Sequence, residues 1–280
     1  MTELLPDQAI IDGHRIACGV HGEGLPVVLI HGTPSHSFIW RNVVPRLAAA
    51  GVRVHLFDLL GFGQSERPHN ADTSVAGQGA VLEGLLDQWG LEQVHIVAHD
   101  IGGAVALRFA VARPERVLSL TVIDTVSYDS WPSETWRRII RDHLDDYAAM
   151  PEREFSQLLT RQLRMTVFDK ARMAGDVLEA YLAPLLGPFG QASFFQHQVR
   201  HYDSRYTEEI TTDLARLSMP VQILWGEADE WQPVGYGRRL AEDIPGAALH
   251  IVPNAGHFLM EDAPDAVAAH VLGFLGRGAG

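Results

Sequence analysis

Runs of apolar residues recur at short intervals along this chain, and polar turns separate them from segments with helical spacing. Continuous apolar runs predict strands buried on both faces, as in a parallel sheet, at residues 26–30, 94–97, 117–123, 221–225 and 248–252. An alternating stretch and two stretches flanking Asp12-Gly13 predict three more strands, at 52–57, 8–13 and 15–20. Helices are predicted near residues 38–50, 74–89, 104–110 and 264–275. This alternation predicts an α/β fold with a doubly wound, mostly parallel sheet.

The alternation of strand and helix stops between residues 126 and 205. The segment there is mostly helical in pattern and rich in charged and aromatic residues. Ligands of open α/β sheets bind at the carboxyl ends of the strands, so we expect this segment to cover that edge. The sequence therefore predicts a core formed by residues 1–125 and 206–280, with a helical cap at 126–205 inserted into it.

A sharp turn between the strand at 94–97 and the helix that follows carries Asp100. Ala98, Gly102 and Gly103 supply the small neighbours that such a turn needs, because a larger side chain would strike the backbone. The pattern resembles a nucleophile elbow, with aspartate where serine is usual. A carboxylate is ionised at neutral pH and can attack a saturated carbon directly, giving an ester that water must cleave. The alternative is an ion-paired or solvated turn residue.

Composition and charge narrow the classes of partner. The chain has 280 residues and a formal net charge of -13, which argues against nucleic acid and anionic membranes as partners. Cys18 is the only cysteine, so the chain has no internal disulfide. The first residues lack the basic and apolar regions of a signal peptide, and no apolar run has the length of a membrane span. We therefore expect a cytoplasmic enzyme.

The motifs of cofactor and metal sites are not found, so no cofactor or metal is expected. Gly61-Phe62-Gly63 lacks the third glycine of a dinucleotide-binding turn. His197 and His201 lie one helical turn apart, but no third ligand has matching spacing. A solvated helix face is the preferred interpretation of the two histidines.

Several motifs outside the predicted cap resemble those of the α/β-hydrolases, in particular the branch with an aspartate nucleophile. They are His31-Gly32-Thr33-Pro34, the loop at 58–65, the Asp100 elbow, Asp229 and His257. The resemblance implies that Asp100 is the nucleophile and that His257 activates water. It also implies that an acid after a strand orients His257, with Asp229 favoured over Asp124. The backbone N–H groups of Thr33 and Ile101 are expected to form the oxyanion hole.

This branch contains epoxide hydrolases and haloalkane dehalogenases. Dehalogenases usually hold the halide with a tryptophan after the nucleophile, where this chain has Ile101, so only a cap tryptophan, Trp131 or Trp136, could replace it. Epoxide hydrolases protonate the ring oxygen with cap tyrosines, for which Tyr147 and either Tyr202 or Tyr206 are candidates.

The resemblance therefore favours hydrolysis of an epoxide in a small apolar organic substrate. Dehalogenation with an atypical halide site is the alternative. Two further classes stay open: a lyase or isomerase with Asp100 as base, and a binding protein without turnover. The oligomeric state is not predicted.

Overall fold

The fold is built on an eight-stranded sheet in the computed structural model, which describes residues 3–276. The strands are β1 (Asp7–Ile11), β2 (His14–His21), β3 (Leu25–Ile30), β4 (Val52–Phe57), β5 (Val94–His99), β6 (Val117–Ile123), β7 (Val221–Gly226) and β8 (Ala248–Val252). Their order is β1-β2-β4-β3-β5-β6-β7-β8. The β1–β2 and β2–β4 pairs are antiparallel, and the remaining pairs are parallel. The predicted α/β fold with a mostly parallel sheet is confirmed.

Twelve α-helices are present among the described residues. They are α1 (Val44–Ala49), α2 (Gly77–Gln88), α3 (Ile101–Ala112), α4 (Glu134–Arg138), α5 (Leu144–Ala148), α6 (Glu152–Met165), α7 (Gly175–Leu182), α8 (Gly187–Ser193), α9 (Arg205–Glu208), α10 (Val234–Asp243), α11 (Leu259–Asp262) and α12 (Pro264–Leu275). Short 3₁₀ helices lie at Ser37–Trp40, Pro114–Arg116, Lys170–Arg172, Val199–His201 and Thr211–Arg216. Two π-helical segments lie at Ile139–His143 and Phe194–Gln198.

The helix predicted at residues 38–50 is wrong in its extent. A 3₁₀ helix covers Ser37–Trp40, and α1 starts afresh at Val44. Pro45 lies in the first turn of α1, where its missing N–H costs nothing. In the middle of one continuous helix the same proline would remove a hydrogen bond and clash with the preceding turn. The chain therefore divides this segment in two.

Both faces of the sheet are covered by apolar side chains. Along β3, Val28 and Ile30 belong to one buried apolar cluster, while Val27 and Leu29 belong to a second cluster on the opposite face. Alternate residues of a strand point to opposite faces, so this division means that helices cover the sheet on both sides. The burial explains why the central strands are continuous apolar runs.

The segment between β6 and β7 is helical, and we call it the cap segment. Its described residues include α4 to α9 and no strand. Aromatic side chains such as Trp136, Phe155 and Phe194 pack together inside it. The exact cap boundaries at 126 and 205 stay a prediction. Among residues 3–276, no helix combines the length and the apolar character needed to cross a bilayer.

A buried ionic cluster joins the cap segment to the core, and we call it the Glu261 clamp. Arg41 binds both carboxylate oxygens of Glu261, with its Nη2 2.7 Å from Oε2. The Tyr181 hydroxyl of α7 donates to Glu261 Oε1 at 2.5 Å. The exposed fraction is 13% for the Arg41 side chain and 3% for the Glu261 side chain. Removing one partner of such a pair leaves a buried charge without compensation.

We expect Glu261→Gln to lower the free energy of unfolding by about 3 kcal/mol, because Arg41 then lacks a counter-ion in a site that water barely reaches. Urea denaturation measures the change. Asp265→Asn is the matched control, since it removes an exposed carboxylate that pairs with Arg46 and is 83% exposed. Equal, small effects of both substitutions would contradict a stabilising clamp.

Candidate active site

Asp100 lies on a strained turn between β5 and α3. Its φ of 54° and ψ of −124° are unusual for a residue with a side chain. The turn is held by backbone hydrogen bonds, in which the Asp100 N–H donates to the Ile123 carbonyl at 3.2 Å and its own carbonyl accepts from the Gly103 N–H at 3.0 Å. This conformation places the Asp100 side chain at the edge of the sheet where the parallel strands end.

The glycines around the turn are required because a side chain at their positions would clash with neighbouring atoms. A Cβ on Gly102 would strike the His31 carbonyl, and a Cβ on Gly103 would strike the Thr125 side chain. A Cβ on Gly32 would strike the carboxylate of Asp100 itself. These contacts explain the two glycines after Asp100, and they show that Gly32 leaves room for its carboxylate.

His257 connects Asp100 with Asp229. Its Nδ1 donates to Asp229 Oδ2 at 2.9 Å, and its Nε2 lies 3.4 Å from Asp100 Oδ2. All three side chains are almost completely buried. The alternative acid, Asp124, is buried near Asp229, and its Oδ1 accepts from the Gly226 N–H at 2.7 Å. The structure therefore pairs His257 with Asp229.

Interactions within this cluster shift the pKa values of Asp100 and His257 toward the charged forms. Burial alone would raise the pKa of Asp100, but hydrogen bonding and charge from His257 lower it below its usual value. Burial alone would lower the pKa of His257, but Asp229 and Asp100 raise it well above its usual value. Both directions favour the charged forms of Asp100 and His257, with the imidazole ring placed between the carboxyl groups of Asp100 and Asp229.

Two further groups surround the Asp100 carboxylate. The Thr33 N–H donates to Asp100 Oδ1 at 2.7 Å, while the Thr33 hydroxyl donates to Gln198 Oε1 at 3.2 Å. The Tyr202 hydroxyl lies 2.7 Å from the Thr33 hydroxyl and donates to it. Ile101 is the first residue of α3, so its N–H has no partner within the helix. Its part in an oxyanion hole stays a prediction.

A small cavity opens above Asp100 and His257, between the sheet and the cap segment. The volume open to the centre of a water molecule is about 50 Å³, room for only a few water-sized groups. Most of its exposed surface is apolar, several aromatic rings contribute to it, and no lysine or arginine among residues 3–276 lines it. The side chains that line it are Thr33, Pro34, Asp100, Ser130, Trp131, Ser133, Trp136, Gln162, Thr166, Phe194, Tyr202, Trp231, Gln232 and His257.

The structure brings some of the predicted cap residues to this cavity and leaves others outside. Trp131, Trp136 and Tyr202 line it, and the rings of Trp131 and Tyr202 are 4.3 Å apart. Tyr147 of α5 is half-buried and packs against the apolar residues of the cap segment. The Tyr206 hydroxyl accepts from Arg205 Nη2 at 2.7 Å. Tyr147 and Tyr206 are absent from the lining, so the expectation that they contact substrate is not supported.

Sequence reasoning missed several residues that hold the site together. The N–H groups of Trp231 and Gln232 both donate to Asp229 Oδ1, at 2.7 Å and 2.9 Å. An aspartate that binds backbone N–H groups two residues onward is a common turn, so the Asp229-Glu230-Trp231 spacing was a usable signal. His99 Nε2 donates to the His257 carbonyl at 2.9 Å. Burial lowers the pKa of His99 to about 3, which keeps its ring neutral beside the imidazolium.

Two further histidines, His31 and His197, are buried and hydrogen-bonded to backbone groups. Burial lowers the pKa of His31 to about 4, and its ring bonds the Gly32 carbonyl and the Leu59 N–H. The solvated helix face expected for His197 is wrong, because that ring is buried and lies 2.9 Å from the Pro68 carbonyl. In the described part of the chain, no three His, Cys, Asp or Glu side chains are grouped as metal ligands.

Comparisons with known proteins agree with this fold. A family model described as the alpha/beta hydrolase fold matches residues 26–264. A 2-hydroxy-6-oxononadienedioate/2-hydroxy-6-oxononatrienedioate hydrolase from Cupriavidus pinatubonensis is 31% identical, over 94% of this chain and 91% of that protein. A cis-3-alkyl-4-alkyloxetan-2-one decarboxylase from Shewanella oneidensis is 28% identical, over 94% of this chain and 86% of that protein.

A solved structure is more similar still in sequence. The crystal structure of an alpha/beta hydrolase fold protein from Burkholderia ambifaria is 38% identical, has a TM-score of 0.91 and is matched over 98% of both chains. The family model alone covers well over half of the present chain. The chain therefore belongs to the α/β-hydrolase family.

Proposed function

We propose that this protein is a hydrolase that forms an alkyl-enzyme ester on Asp100, with an epoxide as its substrate. The observation that carries the proposal is the position of Asp100 on the elbow, where its side chain lines a small cavity and lies 3.4 Å from His257 Nε2. Asp100 would attack a ring carbon and break its bond to the ring oxygen. The product of this step is an ester with a free hydroxyl group on the neighbouring carbon.

Water then hydrolyses the ester. Esterification removes the charge of Asp100, which is one of the two carboxylates that raise the pKa of His257. The imidazolium can therefore give up its proton, and the neutral ring can take one from water. The hydroxide adds to the ester carbonyl, and the Thr33 N–H, which donates to Asp100 Oδ1 in the free protein, would stabilise the oxyanion. Collapse of the intermediate releases a diol and restores the carboxylate.

Tyr202 supports the epoxide as substrate, because ring opening needs a proton for the departing oxygen. Tyr202 lines the cavity, and its hydroxyl lies 2.7 Å from the hydroxyl of Thr33, which also lines it. Burial raises the pKa of Tyr202, and the charge of Asp100 raises it further. Attack neutralises Asp100, so the phenol becomes a better acid at the moment when the alkoxide forms. The tyrosinate then recovers a proton from the His257 imidazolium.

The comparisons also bear on the substrate. The name of the relative from Shewanella oneidensis describes action on an oxetan-2-one, which is a strained oxygen ring. The name of the relative from Cupriavidus pinatubonensis describes a dicarboxylate substrate. A cavity without lysine or arginine is a poor site for two carboxylates, whereas it suits a neutral ring.

Haloalkane dehalogenation is the second candidate. Trp131, Trp136 and Trp231 all line the cavity, and an indole N–H can stabilise a departing halide in a dry site. The same ester on Asp100 would form, and the same hydrolysis would follow. The two candidates differ in the leaving group, so they differ in their need for the Tyr202 proton.

We expect His257→Gln to form the ester and to fail to hydrolyse it, because carboxylate attack needs no base whereas water activation does. Intact mass and peptide mapping, after incubation with small epoxides and bromoalkanes, should show an adduct on the Asp100 peptide. The double variant Asp100→Asn, His257→Gln is the control and should stay unmodified. If His257→Gln stays unmodified by a substrate that the wild type converts, the covalent mechanism is wrong.

We expect Tyr202→Phe to slow epoxide opening by about 10²-fold or more, the usual contribution of one general acid. Release of bromide from bromoalkanes, if the wild type shows it, should change far less. Tyr147→Phe is the matched control, because it removes the same hydroxyl outside the cavity, and we expect it to be neutral. A Tyr202→Phe variant with full epoxide turnover would remove the acid from the mechanism, and rapid bromide release without epoxide turnover would favour the dehalogenase.

A further inference from the structure

Two carboxyl groups lie together behind His257, although a hydrolytic triad needs only one. Asp124 follows β6 and Asp229 follows β7, and the two strands are neighbours in the sheet. Both groups are buried, with Asp124 0% exposed. Gly226 joins them, because its N–H donates to Asp124 Oδ1 at 2.7 Å and its carbonyl accepts from the Asp229 N–H at 3.3 Å. Two ionised carboxylates repel each other in a buried site, which favours a proton on one of them.

The hydrogen bonds around the pair decide which group is ionised. Asp229 accepts three N–H donors, from the backbone of Trp231 and Gln232 and from the His257 ring. Asp124 accepts one N–H donor, from Gly226, and its Oδ2 has no partner among the described residues. Donors stabilise the charged form of a carboxyl group, so the negative charge belongs on Asp229. A proton on Asp124 Oδ2 would give that oxygen the partner that it lacks.

We propose that Asp124 is a neutral carboxylic acid whose hydroxyl group donates to the Asp229 carboxylate and thereby positions it for His257. Asp124 is then a positioning residue, which acts through Asp229 on the imidazole. The consequence for catalysis rests on the proposed role of His257 as the base, and it is independent of the leaving group.

The electrostatics of the pair agree with this assignment. Burial raises the pKa of Asp124 well above its usual value, and the charge of Asp229 raises it further. The titratable groups that face Asp124 are Asp229, from the loop after β7, and His257, from the loop after β8. Of these two, only Asp229 is an anion. An ionised Asp124 would add a second negative charge to a buried site, with only the Gly226 N–H, among the residues that the structure describes, donating to it.

Asparagine is the variant that distinguishes a neutral acid from a carboxylate. Its side-chain oxygen can accept from the Gly226 N–H, and its amide can donate to Asp229, as the proposed acid does. Alanine offers neither group. We expect Asp124→Asn to hydrolyse the ester at a rate within about twofold of the wild type. Asp124→Ala should be about tenfold slower, the effect of one lost hydrogen bond.

Titration of His257 by NMR tests the proposal without any substrate. Replacing a neutral acid with a neutral amide should leave the pKa of His257 unchanged, so the wild type and Asp124→Asn should titrate alike. Asp229→Asn removes a real charge and should lower the pKa of His257, which makes it the control. A lowered pKa in Asp124→Asn, comparable with that in Asp229→Asn, would show that Asp124 is ionised and would overturn the proposal.

The pH dependence of stability supplies a second readout. A carboxyl group whose pKa is raised by folding stabilises the fold most below its unfolded pKa, and that contribution is lost as the pH rises through the folded pKa. Asp124→Asn should therefore gain in Tm relative to the wild type as the pH is raised from about 4 to 8. A difference in Tm that is independent of pH would contradict a raised pKa of Asp124.

The outcomes separate this inference from the proposed function. A wild type that converts no epoxide or haloalkane would count against the proposed function, while the titrations would still decide the state of Asp124. A wild type that forms the ester, together with an Asp124→Asn variant that hydrolyses it as slowly as Asp124→Ala does, would overturn the inference and leave the function standing.

Discussion

The buried negative charge of Asp100 is the constraint on which the rest of the site depends. A carboxylate away from water is stable only when donors or cations compensate it. Here the Thr33 N–H comes from the loop after β3, and His257 comes from the loop after β8. The sheet brings these loops to one edge because its central strands are parallel, with β3 and β6 on either side of β5. The topology of the sheet thus supplies the groups that compensate the charge of Asp100.

In the proposed mechanism, the groups that stabilise the Asp100 carboxylate also act on the ester that replaces it. The Thr33 N–H would face the carbonyl oxygen of that ester, and His257 would lose one of the two charges that hold its proton. The cap segment closes the cavity with aromatic side chains, which keeps bulk water from screening these interactions. The Glu261 clamp fixes this segment to the core through α11, close to His257 in the chain.

Much of the core could be predicted from sequence, because its signals are local. The central strands are continuous apolar runs. The elbow is recognisable from Gly102 and Gly103, whose positions leave no space for a side chain. The cavity could not be predicted in the same way. The sequence alone does not distinguish Tyr202 from Tyr147 as a cavity residue. Only the packing of the cap segment brings Tyr202 to the cavity above Asp100. The burial of His197 was missed for the same reason, since its partner, the Pro68 carbonyl, is distant in the chain.

The source of the oxygen in the product tests most directly whether Asp100 acts as a nucleophile. A single turnover of an epoxide in ¹⁸O-labelled water, with enzyme in excess, separates the oxygen of Asp100 from that of water. We expect the first diol to contain unlabelled oxygen from Asp100 and the Asp100 peptide to gain ¹⁸O, because water attacks the ester carbonyl. Labelled oxygen in the first diol, with no label on the Asp100 peptide, would show that water attacks the substrate directly and would contradict the ester on Asp100.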